Sequence, residues 1–322
     1  MKLFEYMNNK GPIARISLLG ITAFLFLVLS GAGVQAKHRP QRYYPSPEAA
    51  VKAMVEAVKS GDTASLINIF GPGSKAIVLS GDPVEDKTGR DLFVKYYEEN
   101  NRLEESAGKF LFYVGKEDWP FPIPLVKTEN GWFFDTKAGR KEILARRIGR
   151  NELNAIQVCL AYVDAQKEFA LRKARMEKGL PEYAQEFVSI PGKQDGLYWE
   201  AAEGQEQSPM GPLFAAAQAK GYGKEPLGGK PPHPYHGYLY RIIKAQGKNA
   251  SGGPRDYVVD GKMLGGFALI AFPAKYGASG VMTFMVSHKG SVVQKDLGKK
   301  TAEAAGAITV FDPDETWKPV QK

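Results

Sequence analysis

The chain has one cysteine, Cys159, in 322 residues, so no intramolecular disulfide can form and stability must come from burial. Histidine is nearly as scarce: His38, His233, His236 and His288 are the full set. No cysteine pair or His-Glu motif stands near them, and the i, i+3 spacing of His233 and His236 on a Pro-rich loop supplies only half a zinc coordination shell. No metal or other cofactor is expected. No serine–histidine–aspartate order, Gly-rich phosphate loop or zinc-protease helix occurs, which removes the common signatures of hydrolases and nucleotide enzymes. Long apolar runs are missing after residue 29, so no integral membrane segment is expected beyond the N-terminus.

What is present begins with a tripartite leader. Lys2, Lys10 and Arg15 make a basic start, Ile16 to Leu29 is nearly unbroken apolar sequence, and small residues end at Val34-Gln35-Ala36. An apolar run of ~14 residues is short of the ~20 that span a bilayer, and small side chains at the first and third positions suit signal peptidase. Residues 1–36 are therefore expected to be a signal peptide, cut between Ala36 and Lys37, with the protein exported to the periplasm or the medium. No cysteine follows the apolar run, so lipid anchoring is not available. Removal of the three cations and Glu5 takes the formal charge from +8 to +6, spread along the chain rather than gathered in a stripe. No nucleic acid is expected as a partner. An envelope protein or surface component is.

Residues 37–46 are polar and Pro-containing. Order then begins with Ser46 as cap, Pro47 in the first turn, and Val51, Met54, Val55 and Val58 on one helical face up to Gly61. Thr63 to Phe70 predicts a second helix and Asp82-Pro83 opens a third, with Leu92, Phe93, Tyr96 and Tyr97 on or near its apolar side. The period then changes. Residues 109–114 and 123–127 read as strands, and Asn130-Gly131 predicts a type I′ turn into the strand 132–135. Residues 137–178 predict a long charged helix interrupted at Gly149, with Ile156, Cys159 or Leu160, Val163 and Ala170 on one face. A short helix is expected at 212–220, and Gly/Pro density at 221–234 excludes regular structure. The end reads as strands at 237–245, 267–272, 281–286 and 291–297, a helix at 301–308 and a tail around Trp317.

The fold class that follows is α+β in two domains. Residues 37–136 would form helices plus a small antiparallel sheet, 137–150 a basic helical connector, and 151–322 a long helix packed on an antiparallel sheet. Within this frame Glu117 and Asp118 precede Trp119-Pro120-Phe121-Pro122, and carboxylates beside aromatics are a feature of glycan sites. They are the candidate catalytic pair, against the alternative of a Pro-stiffened loop whose aromatics fill the core. Trp119, Phe121, Trp132, Tyr198, Trp199, Tyr235 and His236 are the candidate ligand-binding residues, Tyr238 and Tyr240 belonging to the same aromatic set. The basic run Arg140 to Arg150 either grips phosphate or carboxylate or is a solvated or interdomain face. Cys159, between Val158 and Leu160, is expected to be buried and inert.

Three resemblances add to this reading. The stretches 112–159, 161–170, PGKQDGLYW (191–199), PYHGYLYRI (234–242) and 265–298 resemble a family of exported bacterial proteins catalogued as a domain of unknown function, number twenty-nine fifty. The opening PEAAVKAMVEAVKSGDTASLINIFGP (47–72), followed by a meander, resembles the cones of the nuclear-transport-factor-2-like superfamily. Asn151-Glu152, Ala155-Ile156, Ala165-Gln166 and Phe169-Ala170, with the run from Phe272 to Gly290, are similar to type IV pilin heads. The chain departs from pilins where Arg140, Lys141, Arg146, Arg147 and Arg150 replace an apolar filament helix, because burying those charges would cost more than packing returns. The functional expectation is a non-catalytic envelope binding or assembly module. The alternatives are a glycan or peptidoglycan hydrolase acting through Glu117 or Asp118, and a pilus-associated minor component.

Overall fold

A computed structural model describes residues 41–177, 180–224, 226–227 and 232–320. The leader, Ala36 and Lys37 lie outside them. Four helices open the described chain: α1 (Pro47–Ser60), α2 (Thr63–Phe70), α3 (Lys75–Val78) and α4 (Pro83–Glu99). Local chemistry sets their ends. Ser46 Oγ accepts from Ala49 N at 3.2 Å, and Gly61 closes α1 at φ +67°, which costs glycine no Cβ clash. Asp82 caps α4, accepting from Val84 N and Glu85 N. α3 was not expected from the sequence. Leu92 is 45% exposed rather than on the apolar side of α4, a helix with no fully buried residue.

A five-stranded antiparallel sheet follows: β1 (Asn101–Ser106), β2 (Lys109–Val114), β3 (Trp119–Pro120), β4 (Leu125–Thr128) and β5 (Gly131–Phe134). Its order is β1-β2-β4-β5, with β3 on the outer end of β2. β1 is charged (NRLEES) and solvent-facing, so no apolar alternation betrays it. It reaches β2 through Ala107-Gly108, both at positive φ, as a type I′ turn requires. The 130–131 turn differs from expectation. Thr128 pairs with Gly131, so Glu129-Asn130 make the turn and only Gly131 has positive φ.

Helix α5 (Thr136–Glu177) runs 42 residues, about 60 Å, without the expected break at Gly149. One interior glycine costs only ~1 kcal/mol relative to alanine, and Gly149 lies on the open face where a Cβ would meet nothing. Packing on either side of it outweighs that cost.

After α5 come α6 (Gly211–Ala219), β6 (Tyr238–Ile243), β7 (Ala245–Gln246), β8 (Arg255–Asp256), β9 (Val258–Val259), β10 (Lys262–Met263), β11 (Ala268–Pro273), β12 (Met282–Ser287), β13 (Val292–Asp296), α7 (Thr301–Ala307) and β14 (Lys318–Pro319). The main sheet is antiparallel in the order β14-β13-β12-β11-β6, so the tail beyond Trp317 is an edge strand. The fold is α+β.

Buried apolar side chains gather in two clusters. One joins Val51, Met54, Leu66, Ile69, Phe70, Phe112, Ile123, Leu125 and Phe134 from α1, α2 and the first sheet. The other packs Val158, Tyr162, Val163 and Phe169 of α5 onto Tyr238, Leu269, Ile270, Phe284 and Val286 of the second sheet. α5 serves both, since its Ile143 packs against the first cluster. Cys159 is fully buried in the second, where burial pushes its thiol up to about 12. No helix among the described residues is long and apolar enough to cross a membrane.

Candidate functional site: an apolar cavity with a charged rim

A cavity of about 300 Å³ opens between α1, α2, α4 and the N-terminal half of α5. That is the lower end of the range for small-molecule pockets, ~300–1,000 Å³. Helical periodicity builds its walls. α4 contributes Glu85, Asp86, Gly89, Arg90 and Phe93, and α5 contributes Ile143, Arg147, Arg150 and Asn151, each set one stripe of its helix. Met54 and Val58 of α1, Leu66 and Phe70 of α2, and Phe121-Pro122 complete an apolar interior. The phenyl ring of Phe121 stacks on Phe70 at 6.1 Å and meets Phe93, Phe112 and Phe134 edge-on.

The polar wall is contiguous. Arg147 donates to Ala76 O at 2.6 Å and to Ile77 O, which ties α5 to α3, and burial lowers its pKa. Both carboxylate oxygens of Asp86 accept from Ser80 N, at 3.0 and 3.1 Å. Arg150 approaches Glu85 only to 4.0 Å and is largely exposed. Among the described residues Arg90 has neither a hydrogen bond nor an ion pair. Asn151 donates to Ser279 O at 2.9 Å, while its own buried Oδ1 has no partner.

Behind this wall a buried polar lock joins α4 to the loops of the second cluster. Asp82 is 1% exposed. Its Oδ1 accepts from Val84 N and Glu85 N; its Oδ2 accepts from the Tyr222 hydroxyl at 2.8 Å and from Gly237 N at 2.9 Å. Burial holds the Asp82 carboxyl above its usual range, outweighing these donors. The same burial, together with the Asp82 charge, raises Tyr222. The Tyr222 oxygen also accepts from His236 N at 3.1 Å. His236 Nδ1 lies 2.8 Å from Glu85 Oε1 and its Nε2 3.3 Å from Lys220 Nζ. A carboxylate only accepts, so His236 Nδ1 is the donor in the bond to Glu85. The His236 bond holds the Glu85 carboxyl below its usual range, against the opposing effect of burial and with help from Arg150 and Lys220.

The position of His236 is itself unusual. His236 (φ +51°) and Gly237 (φ +73°) form a two-residue turn between Tyr235 and Tyr238, which exchange backbone hydrogen bonds. A histidine in the left-handed region costs of order 1 kcal/mol and persists only where its surroundings fix it. Here the Asp82 and Glu85 bonds do so.

Of the residues singled out in the sequence, Phe121 lines the cavity, while Tyr235 and His236 stand at the lock. The others fall elsewhere. Glu117 is exposed, and Asp118, at φ +51°, pairs with Arg102 at 3.2 Å on the outer edge of the first sheet. Trp119 is 53% exposed beside them. Trp132 packs edge-on against Phe110 at the sheet margin. Tyr198 stacks on Phe214 at 4.1 Å, and Trp199 borders a separate groove with Lys193, Gln194 and Asp195. His233 is exposed and apart from His236. Among the described residues no group of three His, Cys, Asp or Glu side chains could hold a metal ion. Sequence reasoning passed over Asp82, Glu85, Arg90, Asn151 and Tyr222. Asp82 was legible as a helix cap, but nothing local signalled its second pair of donors, 140 and 155 residues away.

The chain matches, over residues 41–320, the family described as "Protein of unknown function (DUF2950)", and it belongs to that family. No curated protein and no solved structure matches it.

Proposed function

We propose that this DUF2950 member is an exported binding protein, without catalysis of its own, that carries a small ligand in the cavity beneath α4. The observation that carries this reading is the cavity: an apolar chamber of about 300 Å³ beside the first core. Filling such a space with side chains would be stabilising, so leaving it open is a cost that binding explains. Glu117 and Asp118, the hydrolase candidates, do not line it, and Asp118 is engaged by Arg102. The basic start, apolar run and Val34-Gln35-Ala36 support export to the periplasm or medium with cleavage before Lys37. We read the two buried clusters as two domains, the second, with its pilin-head-like order of helix and strands, offering its surface to an envelope partner.

The test uses a neutral apolar fluorophore, N-phenyl-1-naphthylamine. The purified protein is expected to enhance its emission, and Val58→Trp and Ile143→Trp, which fill the chamber, to abolish the enhancement with unchanged circular dichroism. No enhancement by the parent, or equal enhancement by the filled variants, would refute the reading. N-terminal sequencing of native material tests the cleavage, which Met1 as first residue would exclude.

A further inference from the structure

We infer that the ligand of this cavity is a single-chain amphiphile with an anionic end, its apolar chain in the chamber and its head at Arg90 and Arg150. This rests on the cavity being a binding site and adds the chemistry of what it takes. The lining is segregated. Met54, Val58, Leu66, Phe70, Phe93 and Ile143 make one part apolar, whereas Glu85, Asp86, Arg90, Arg147, Arg150 and Asn151 make the other charged or polar. A wholly apolar ligand would leave the second part unused, and a wholly polar one would waste the first.

Which charges remain unspent gives the sign of the head. One donor, Ser80 N, bridges the two oxygens of Asp86, and His236 takes Glu85 Oε1, leaving Oε2 toward Arg150 at 4.0 Å. The guanidinium of Arg147 is spent on Ala76 O and Ile77 O. Arg150 has only the 4.0 Å approach to Glu85, and Arg90, one turn beyond Asp86 on α4, has no partner among the described residues. The rim sets two acids against three arginines, a net formal charge of +1, and two of those arginines have no close partner. A guanidinium bordering an apolar chamber forms strong charge-assisted hydrogen bonds to a carboxylate or phosphate, where water competes less than at an open surface. A cationic head would meet two arginines in a rim of net positive charge.

The experiment compares laurate, dodecyl phosphate and dodecanol as displacers of N-phenyl-1-naphthylamine from the purified protein. The two anions are expected to displace it at about tenfold lower concentration than the alcohol, the worth of one hydrogen bond to a charged group. Arg90→Gln with Arg150→Gln should bring the ratio of alcohol to anion displacing concentrations from about tenfold down to about one, and Arg90→Lys with Arg150→Lys should restore part of it. Arg150 is exposed and Arg90 half-buried at the cavity rim, so the variants are expected to fold. Uptake of single-chain lysophosphatidylglycerol as well as of free laurate would identify a membrane lipid as the source of the head; uptake of laurate alone would identify a soluble acid. Equal displacement by laurate and dodecanol, in a protein that still binds the fluorophore, would overturn the head-group inference and spare the cavity reading. Failure to bind even the fluorophore would overturn both.

Discussion

Replacing Asp82 should unlock α4 from the second cluster, and the size of the effect follows from its four hydrogen bonds. In Asp82→Ala the helix cap is lost, worth about 1 kcal/mol. The Tyr222 hydroxyl and Gly237 N–H are left as buried donors, at about 1–3 kcal/mol each. Against this, burial holds the Asp82 carboxyl above its usual range, so ionised Asp82 is under strain that the variant relieves. The net expectation is the lower part of the combined range, about 3 kcal/mol. For a chain of this size that corresponds to a fall in Tm of roughly 5 °C. Asp82→Asn keeps one oxygen for the cap and turns an N–H₂ toward Gly237 N–H, so about 2 kcal/mol should be lost. Urea unfolding followed by tryptophan fluorescence and far-ultraviolet circular dichroism measures both. The two probes should move together if the lock makes the clusters unfold as one unit, and separate in the variants if it is broken. A loss below 1 kcal/mol for Asp82→Ala would refute the reasoning.

Three further outcomes are expected. Gly237→Ala should be more damaging than its size suggests, at about 2 kcal/mol or more in urea unfolding, because φ is +73° and the new Cβ would stand 2.5 Å from Asn151 Nδ2. Gly149→Ala should stabilise by about 0.5–1 kcal/mol in the same assay, since the site is helical and a Cβ there meets nothing; destabilisation would mean that α5 bends at this residue. Glu85→Gln should depend on pH. His236 holds Glu85 low, so the ionised group contributes stability that is fully present above the ordinary glutamate range and is lost as pH falls through its folded value. The gap in Tm between parent and Glu85→Gln should be widest near neutrality and close below the usual carboxylate range. A gap constant from pH 7 to pH 3 would show that the carboxylate charge is not what His236 reads.

Local chemistry made much of this protein legible. Ser46-Pro47, Gly61 and Asp82-Pro83 mark helix ends through caps and fixed φ values, and the short, nearly continuous apolar runs of β2, β11 and β12 mark strands, because these signals act within a few residues. The antiparallel strand order and the packing of α5 on the second sheet hide their apolar faces together. The buried Cys159 followed from its apolar neighbours. Where local signals were weak, reading failed. The charged β1 is recruited by pairing with β2, and Gly149 is held in helix by packing to either side.

Only the tertiary structure decided the site. The cavity is a vacancy between helices, and no residue type encodes a vacancy. Arg147 and Arg150 were visible as part of a basic run, but whether each is spent or free depends on α3 and α4 carbonyls and carboxylates brought from some seventy residues away. The lock is more distant still, since Asp82 and Glu85 meet Tyr222, His236 and Gly237 across the width of the fold. Hydrogen bonds are short-ranged and sequence separation says nothing of approach, so the residues that join the two clusters acquire their meaning only when the chain has folded.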